Sequence, residues 1–407
     1  MLTTIPRCPI DLDDPAFLSG DRSAAYQTML TESPIARAEM GGHEVFLASR
    51  HADVAAISRL SDARVRPLGE LAPAWMGSGP TSERLRANLA QTDAPVHTRL
   101  RQVVGPMFIP RRIEKLRQVS AKSVDRTLDA LSVSQFDAVA DLAVGVPRGV
   151  ICHLLGVPEE DWAMLAEKQN AFLMIFSPAP LPGHLMASLD EVTTFYLDYF
   201  DSILARTPEA EYSDYVRTLV DGEKRGDLTH TEVLSLMHTV FDAGYETTRT
   251  SISNTVELLA TVPGLFETLS SAAPAEIDNA IEEILRVRTP IHARDRILTE
   301  DYTASDGTVV PAGARVFNML AASNLDEDVY PDPTSVDPFR VNAKVHNAFG
   351  GGLHHCLGAP IARIQLQETM KGLVQRFTAF DVVGASSRHP SLVFPALATL
   401  PVEASTR

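Results

Sequence analysis

Cysteine is scarce in this chain: three residues in 407, at positions 8, 152 and 356. Odd in number and far apart, they build no disulfide framework, so each needs its own explanation. Basic residues are also in deficit, 36 Lys and Arg against 52 Asp and Glu, for a net charge of −16. The chain therefore lacks the footprint that nucleic-acid phosphates or an anionic membrane surface would demand. The N-terminal stretch MLTTIPRCPIDLDDPAF has no basic segment followed by a long apolar run, so neither a signal peptide nor a membrane anchor is legible. Also missing are internal repeats, low-complexity blocks and any linker that would cut the chain in two. A cytoplasmic protein, monomeric and folded as a single domain over residues 1–407, is the expectation, although length alone would allow two or three domains.

What is present alternates between helical and strand-like pattern. HEVFLASR reads as a strand and HADVAAISRL as a helix after it, and the Pro/Gly-containing region 66–93 reads as a long loop with some helix. Apolar residues recur at helical period in RRIEKLRQVSAKSVDRTLDAL, in the long TEVLSLMHTVFDAGYETTRTSISNTVELLATV and in APAEIDNAIEEILRVR. Between 291 and 320 turn dipeptides and strand-like runs predict a small sheet. The Pro/Asp/Asn-rich stretch 323–347 predicts irregular chain, followed by a helix to Phe377 and short strands near the C-terminus. Cys152 sits in the apolar run GVICHLLGV, where a small buried hydrophobe is expected, and Cys8 carries no signal.

Cys356 is different, because it lies in the glycine-rich FGGGLHHCLG, residues 349–358, immediately before a helical pattern. Three chemistries are open to such a loop. The amides of a helix N-terminus attract phosphate, but the spacing fits neither the dinucleotide fingerprint nor the P-loop. His354, His355 and Cys356 could suggest zinc, yet adjacent residues cannot all face one ion and no C-x-x-C pair is present. The third possibility is a thiolate held by backbone amides and the first turn of the helix, which would serve as an axial ligand to haem iron.

The last of these is carried by a resemblance. Phe349, Gly350, Gly352, His354, Cys356 and Gly358 stand in register with the haem-binding signature of the cytochrome P450 family, which the chain resembles. Other segments follow that family's order. Ala243-Gly-Tyr-Glu-Thr-Thr248 is similar to its oxygen-side helix, where the resemblance assigns close passage of the haem to Ala243 and Gly244 and proton delivery to Glu246 and Thr247. Glu283-Ile-Leu-Arg286 is similar to its Glu-x-x-Arg pair, with Arg340 as third member of a structural network. His97, Arg101, Arg296 and His354 resemble its partners for the haem propionates.

The resemblance implies a mainly α fold with small β-sheets, haem b as cofactor and Cys356 as the metal ligand. It implies a monooxygenase that places one atom of O2 into a small, mainly hydrophobic substrate, with electrons from a separate ferredoxin and ferredoxin reductase. Spacing along the long helix puts Leu236, Val240, Ala243 and Thr247 on one face, and the expected pocket adds Ile291, His292, Arg294 and Phe394, with segments 67–92, 172–189 and 393–397. Between His97 and Arg117 six cations (Arg99, Arg101, Arg111, Arg112, Lys115, Arg117) face one anion, Glu114, a local net of +5 that would suit an acidic electron carrier. Two rivals remain at this stage: a peroxide-driven or non-oxygenating haem enzyme, and a non-catalytic recruitment module.

Overall fold

The computed structural model describes residues 5–70, 72–131, 134–168 and 181–407. Its axis is the 32-residue helix His230–Thr261, hereafter the central helix. A capping box starts it, with the Thr229 hydroxyl accepting from the Glu232 amide and the Glu232 carboxylate accepting from the Thr229 amide. Pro263 follows its end, where a helix cannot continue. Both the Gly145–Leu155 helix and the Ala359–Arg376 helix pack on it. The apolar stretch Ala138–Leu155 is long enough by length and composition to cross a membrane, yet two-thirds of it is buried inside this packing, so its apolarity is used in the core.

Sequence-read elements fall close to their expected places. Strand His43–Ala48 precedes helix His51–Arg59, region 66–93 holds the short helix Pro80–Leu85, and Pro274–Val287 and Ala359–Arg376 are helical. Strands Ile35–Met40, His43–Ala48, Arg315–Asn318 and Arg294–Ile297 form one sheet in that order. Only the central pair is parallel, with Phe46 opposite Val316. A three-stranded antiparallel sheet joins Gln135–Asp137, Pro401–Thr406 and Phe377–Val382. Short strands Ser387–Arg388 and Leu397–Thr399 pair near the C-terminus, and residues 391–396 between them make no strand.

One buried cluster ties the irregular 324–340 stretch to this frame. The Glu283 carboxylate accepts from Arg286 Nε and Nη2 at 2.8 and 2.7 Å and from Arg340 Nε at 3.0 Å. Arg286 also donates to the carbonyls of Asn324, Pro333 and Ser335, and Arg340 to those of Pro331 and Asp332. Glu283 and Arg286 are fully buried, so a stretch with little secondary structure gets its shape from two guanidinium forks that satisfy its carbonyls.

Candidate active site

The glycine-rich loop turns back on itself before the Ala359–Arg376 helix. The Cys356 amide donates to the Phe349 carbonyl at 2.9 Å and the Gly350 amide to Asn347 at 2.8 Å. Gly350 and Gly352 sit at φ +65° and +63°, a region that favours glycine. A Cβ on Gly352 would also fall 2.3 Å from the Ser58 carbonyl oxygen at the end of the His51–Arg59 helix. This geometry leaves Cys356 on the floor of a cavity of about 260 Å³. The facing wall is the central helix, through Thr239, Val240, Ala243, Gly244 and Thr247.

The donor set suits an iron-bound thiolate. Burial pushes the Cys356 thiol pKa up, only partly offset by the Gly358 amide, Arg101, Arg363 and the Ala359 amide. The sulfur is open to the cavity rather than packed in protein, and as an anion in that mainly apolar hollow it calls for a cation bonded to it. The rim of the cavity shows the opposite surplus. Arg101, Arg294, Arg296 and His354 all line it, and the His97 and His354 rings lie 4.3 Å apart. Burial and the neighbouring Arg294 pull the Arg296 pKa down to about 10; burial, Arg296 and His97 pull that of His354 down to about 2. Among the described residues no carboxylate comes within ion-pair distance of Arg101 or Arg296, and the buried His97 Nε2 has no partner. Asp93 lies 4.0 Å from His354 Nε2 and Asp295 acts on Arg294 and Arg296 from nearby, but two guanidiniums with no carboxylate bonded to them are unfavourable in a buried place, and two propionate carboxylates would relieve them. The residues present thus fit a haem on both counts.

Several expected residues take other positions. Glu246 is buried and does not line the cavity; its Oε2 accepts from Arg249 Nη2 and Nε at 2.7 and 3.1 Å. Burial raises its pKa in spite of that arginine. Thr247 Oγ1 donates to the Ala243 carbonyl at 2.7 Å, which leaves its oxygen lone pairs toward the cavity. Gly244 lines the cavity, but a Cβ there would meet Ile151 Cδ1 at 2.5 Å, so its close approach is to the Gly145–Leu155 helix.

Leu236 does not line the pocket: it lies one turn beyond the cavity's end, where Tyr215 covers the central helix and donates to its carbonyl at 3.3 Å. His292 does not line it either. Tyr26 and Arg22 offer its ring the hydrogen bonds an apolar wall lacks, at 2.6 and 3.5 Å, and it faces a separate polar cavity of about 320 Å³. Phe394 packs behind the wall against Ile291, Val393 and Ala396, so segment 393–397 backs the pocket without lining it. Ile291 and Arg294 do line it, as do Leu89 and Ala90 from the long loop. Of the expected segment 172–189, residues 172–180 lie outside the described residues.

Two groups were missed by sequence reading. Glu282, beside Glu283, accepts from Arg363 at 2.6 and 2.8 Å and lies 3.1 Å from His346 Nε2, and the Arg363 guanidinium sits 4.5 Å over the Phe349 ring. This second network pins the cysteine loop, and its only sequence signal was the doubled acid. The basic run 97–117 is less bare than its sequence suggests: Arg99 pairs with Glu232, and Arg117 with Glu114 and Glu368. Arg111 and Arg112 stay exposed without a carboxylate partner among the described residues.

Residues 277–405 match the family model described as Cytochrome P450. Cytochrome P450 GfsF of Streptomyces halstedii is 31% identical over 91% of this chain and 89% of that protein. Mycinamicin IV hydroxylase/epoxidase of Micromonospora griseorubida is 33% identical over 86% of this chain and 87% of that protein. Among solved structures, CalO2 superposes with a TM-score of 0.88 at 27% identity, covering 98% of this chain and 99% of that one.

Proposed function

This chain belongs to the cytochrome P450 family, whose cofactor is haem b and one of whose members named above is a hydroxylase/epoxidase, and we propose that it hydroxylates, or oxidises in a related way, a small and mainly hydrophobic molecule. The observation that carries the proposal is the placement of the Cys356 sulfur opposite Ala243 and Thr247 across a mainly apolar cavity with an anion-seeking rim. Bound haem supplies the reduction of O2 and the transfer of one of its atoms to carbon. Cys356 would hold its iron through the thiolate, and Arg101, Arg296, His97 and His354 would hold its propionates by charge-assisted hydrogen bonds. Leu89, Val240 and Ile291 exclude water and offer the substrate an apolar surface.

Oxygen reduction consumes protons. Thr247 Oγ1, an acceptor facing the cavity, is assigned to hold a proton-carrying water there. Glu246 reaches that site only after releasing Arg249. Its pKa, raised by burial, suits a group that takes up a proton on the Arg249 side and turns. Electrons are assigned to a separate ferredoxin and its reductase, with Arg111 and Arg112 as the docking charges.

The test is turnover under isotopically labelled O2 with NADH, ferredoxin and reductase, on apolar molecules first selected by a shift in the haem spin state. The expected result is one labelled oxygen per product and no turnover without the carrier. Equal turnover with peroxide alone would favour the peroxide-driven alternative.

A further inference from the structure

The face of the central helix next to the cavity wall is unusually polar for its depth. Ser235, His238, Thr239 and Asp242, spaced three, four and seven residues apart, share it, and each is less than a tenth exposed. Ser235, Thr239 and Asp242 bond the short segment 79–90, and His238 sits beside Asp242. The Asp242 carboxylate accepts from Arg84 Nη2, and His238 Nε2 lies 3.3 Å from the same oxygen. Ser235 Oγ donates to the Arg84 carbonyl at 2.9 Å, and Asn88 Nδ2 to Thr239 Oγ1 at 3.1 Å. Burial, with Arg84 beside it, holds the His238 pKa down at about 4. The ring is therefore neutral at physiological pH, and the cluster holds one cation and one anion.

Apart from these bonds, segment 79–90 has as apolar support the small cluster Ala72, Met76 and Leu85, backed by Trp75 and Met186, and the packing of Leu89 against the core that includes Leu236 and Phe241 of the central helix. Its other face touches the helix Gly183–Arg206 through polar contacts, the Thr81 amide to Asp190 at 3.0 Å and the Thr81 hydroxyl to Thr193 at 3.0 Å. The two residues that follow Asn88, Leu89 and Ala90, line the cavity, as do Thr239, Val240 and Ala243 beside Asp242. A shift of Arg84 is thus carried within one turn to the cavity wall.

We propose that the Arg84–Asp242 ion pair is a specificity-determining clasp: it fixes how far segment 79–90 closes over the cavity, and so which molecules are admitted by size. A buried ion pair is a poor source of net stability, because desolvation offsets attraction, but it is strongly directional. Apolar contacts such as those of Leu85 and Leu89 tolerate small slides, whereas the ion pair selects one position of the segment over others. Both partners act through Leu89 and Ala90, without touching the reacting atoms. The inference rests on the haem-thiolate assignment, because the cavity it guards is the haem cavity.

The test uses ferric holoenzyme carrying Arg84→Met, Asp242→Leu or both, the paired variant leaving no unpaired buried charge. Two iron ligands of different size, 4-phenylimidazole and cyanide, probe entry by stopped flow, and hydrogen exchange reports on amides 79–90. In the paired variant 4-phenylimidazole association should quicken about tenfold, exchange at 79–90 should rise about tenfold, and cyanide association should stay within about twofold. Arg84→Lys should recover part of the slow entry. Unchanged rates in a folded paired variant with a normal carbonyl band would overturn the clasp, and so would equal acceleration of both probes, the mark of general loosening. Absence of a haem band in the unaltered protein would instead strike the assignment on which the inference rests.

Discussion

The two sides of the cavity are held together by different means. On the cysteine side, Glu282 and Glu283 each collect two cationic or histidine partners, and their arginines go on to satisfy carbonyls or cover Phe349. These networks join segments that would otherwise be irregular and fix one sulfur atom. On the opposite side, the wall is a long helix that faces the cavity with Val240, Ala243 and Thr247, closed by a short loop segment through one buried ion pair and two hydrogen bonds. Where one geometry serves every turnover, redundancy is stabilising and tolerable. Where the wall must match a particular molecule, a single contact can be retuned without disturbing the sulfur.

That contrast can be broken most severely at Arg286. Arg286→Met removes both bonds to Glu283 and three carbonyl contacts, and should cost about 3–5 kcal/mol with loss of bound haem, read by urea unfolding and haem content. Glu282→Gln should cost less, about 3 kcal/mol at neutral pH. Burial alone would raise the Glu282 pKa, but Arg363 and His346 hold it at about 2, down from 4.5. Its stabilisation is therefore complete above pH 4.5 and lost as pH falls toward 2, and the variant should show a flatter stability curve across that window. The reverse slope would contradict the assignment.

On the facing wall the effects should separate. Leu236→Ala, in the core beyond the cavity, should cost about 2–4 kcal/mol and leave imidazole-type ligand affinity unchanged. Val240→Ala, on the wall itself, should do the opposite, costing about 1 kcal/mol or less while shifting that affinity. Smallest of all, neutralising Arg111 and Arg112 together should slow electron transfer from ferredoxin a few-fold at low salt, with the difference vanishing at high salt. Kinetics untouched at low salt would remove these two residues from the docking surface.

Legibility in the sequence followed the same division. Cys356, its glycines and the Glu283–Arg286 pair were readable through the family resemblance, whose motifs keep particular residue types at set positions. The central helix was readable from its period. What could not be read was direction across long separations. Nothing local tells that Glu246 turns toward Arg249, that His292 leaves the pocket for Tyr26, or that Leu236 falls one turn past the cavity's end. Arg84 and Asp242, 158 residues apart, carry no mutual signal in the chain. Their pairing exists only once the long loop is laid over the central helix.

The central claim is that Cys356 holds haem iron through its thiolate. The most direct measurement is the visible spectrum of the dithionite-reduced protein with and without carbon monoxide, taken for the unaltered chain and for Cys356→Ala. The account predicts the red-shifted Soret band of a thiolate-bound carbonyl complex in the first and its absence in the second. The same red-shifted band in Cys356→Ala would contradict it.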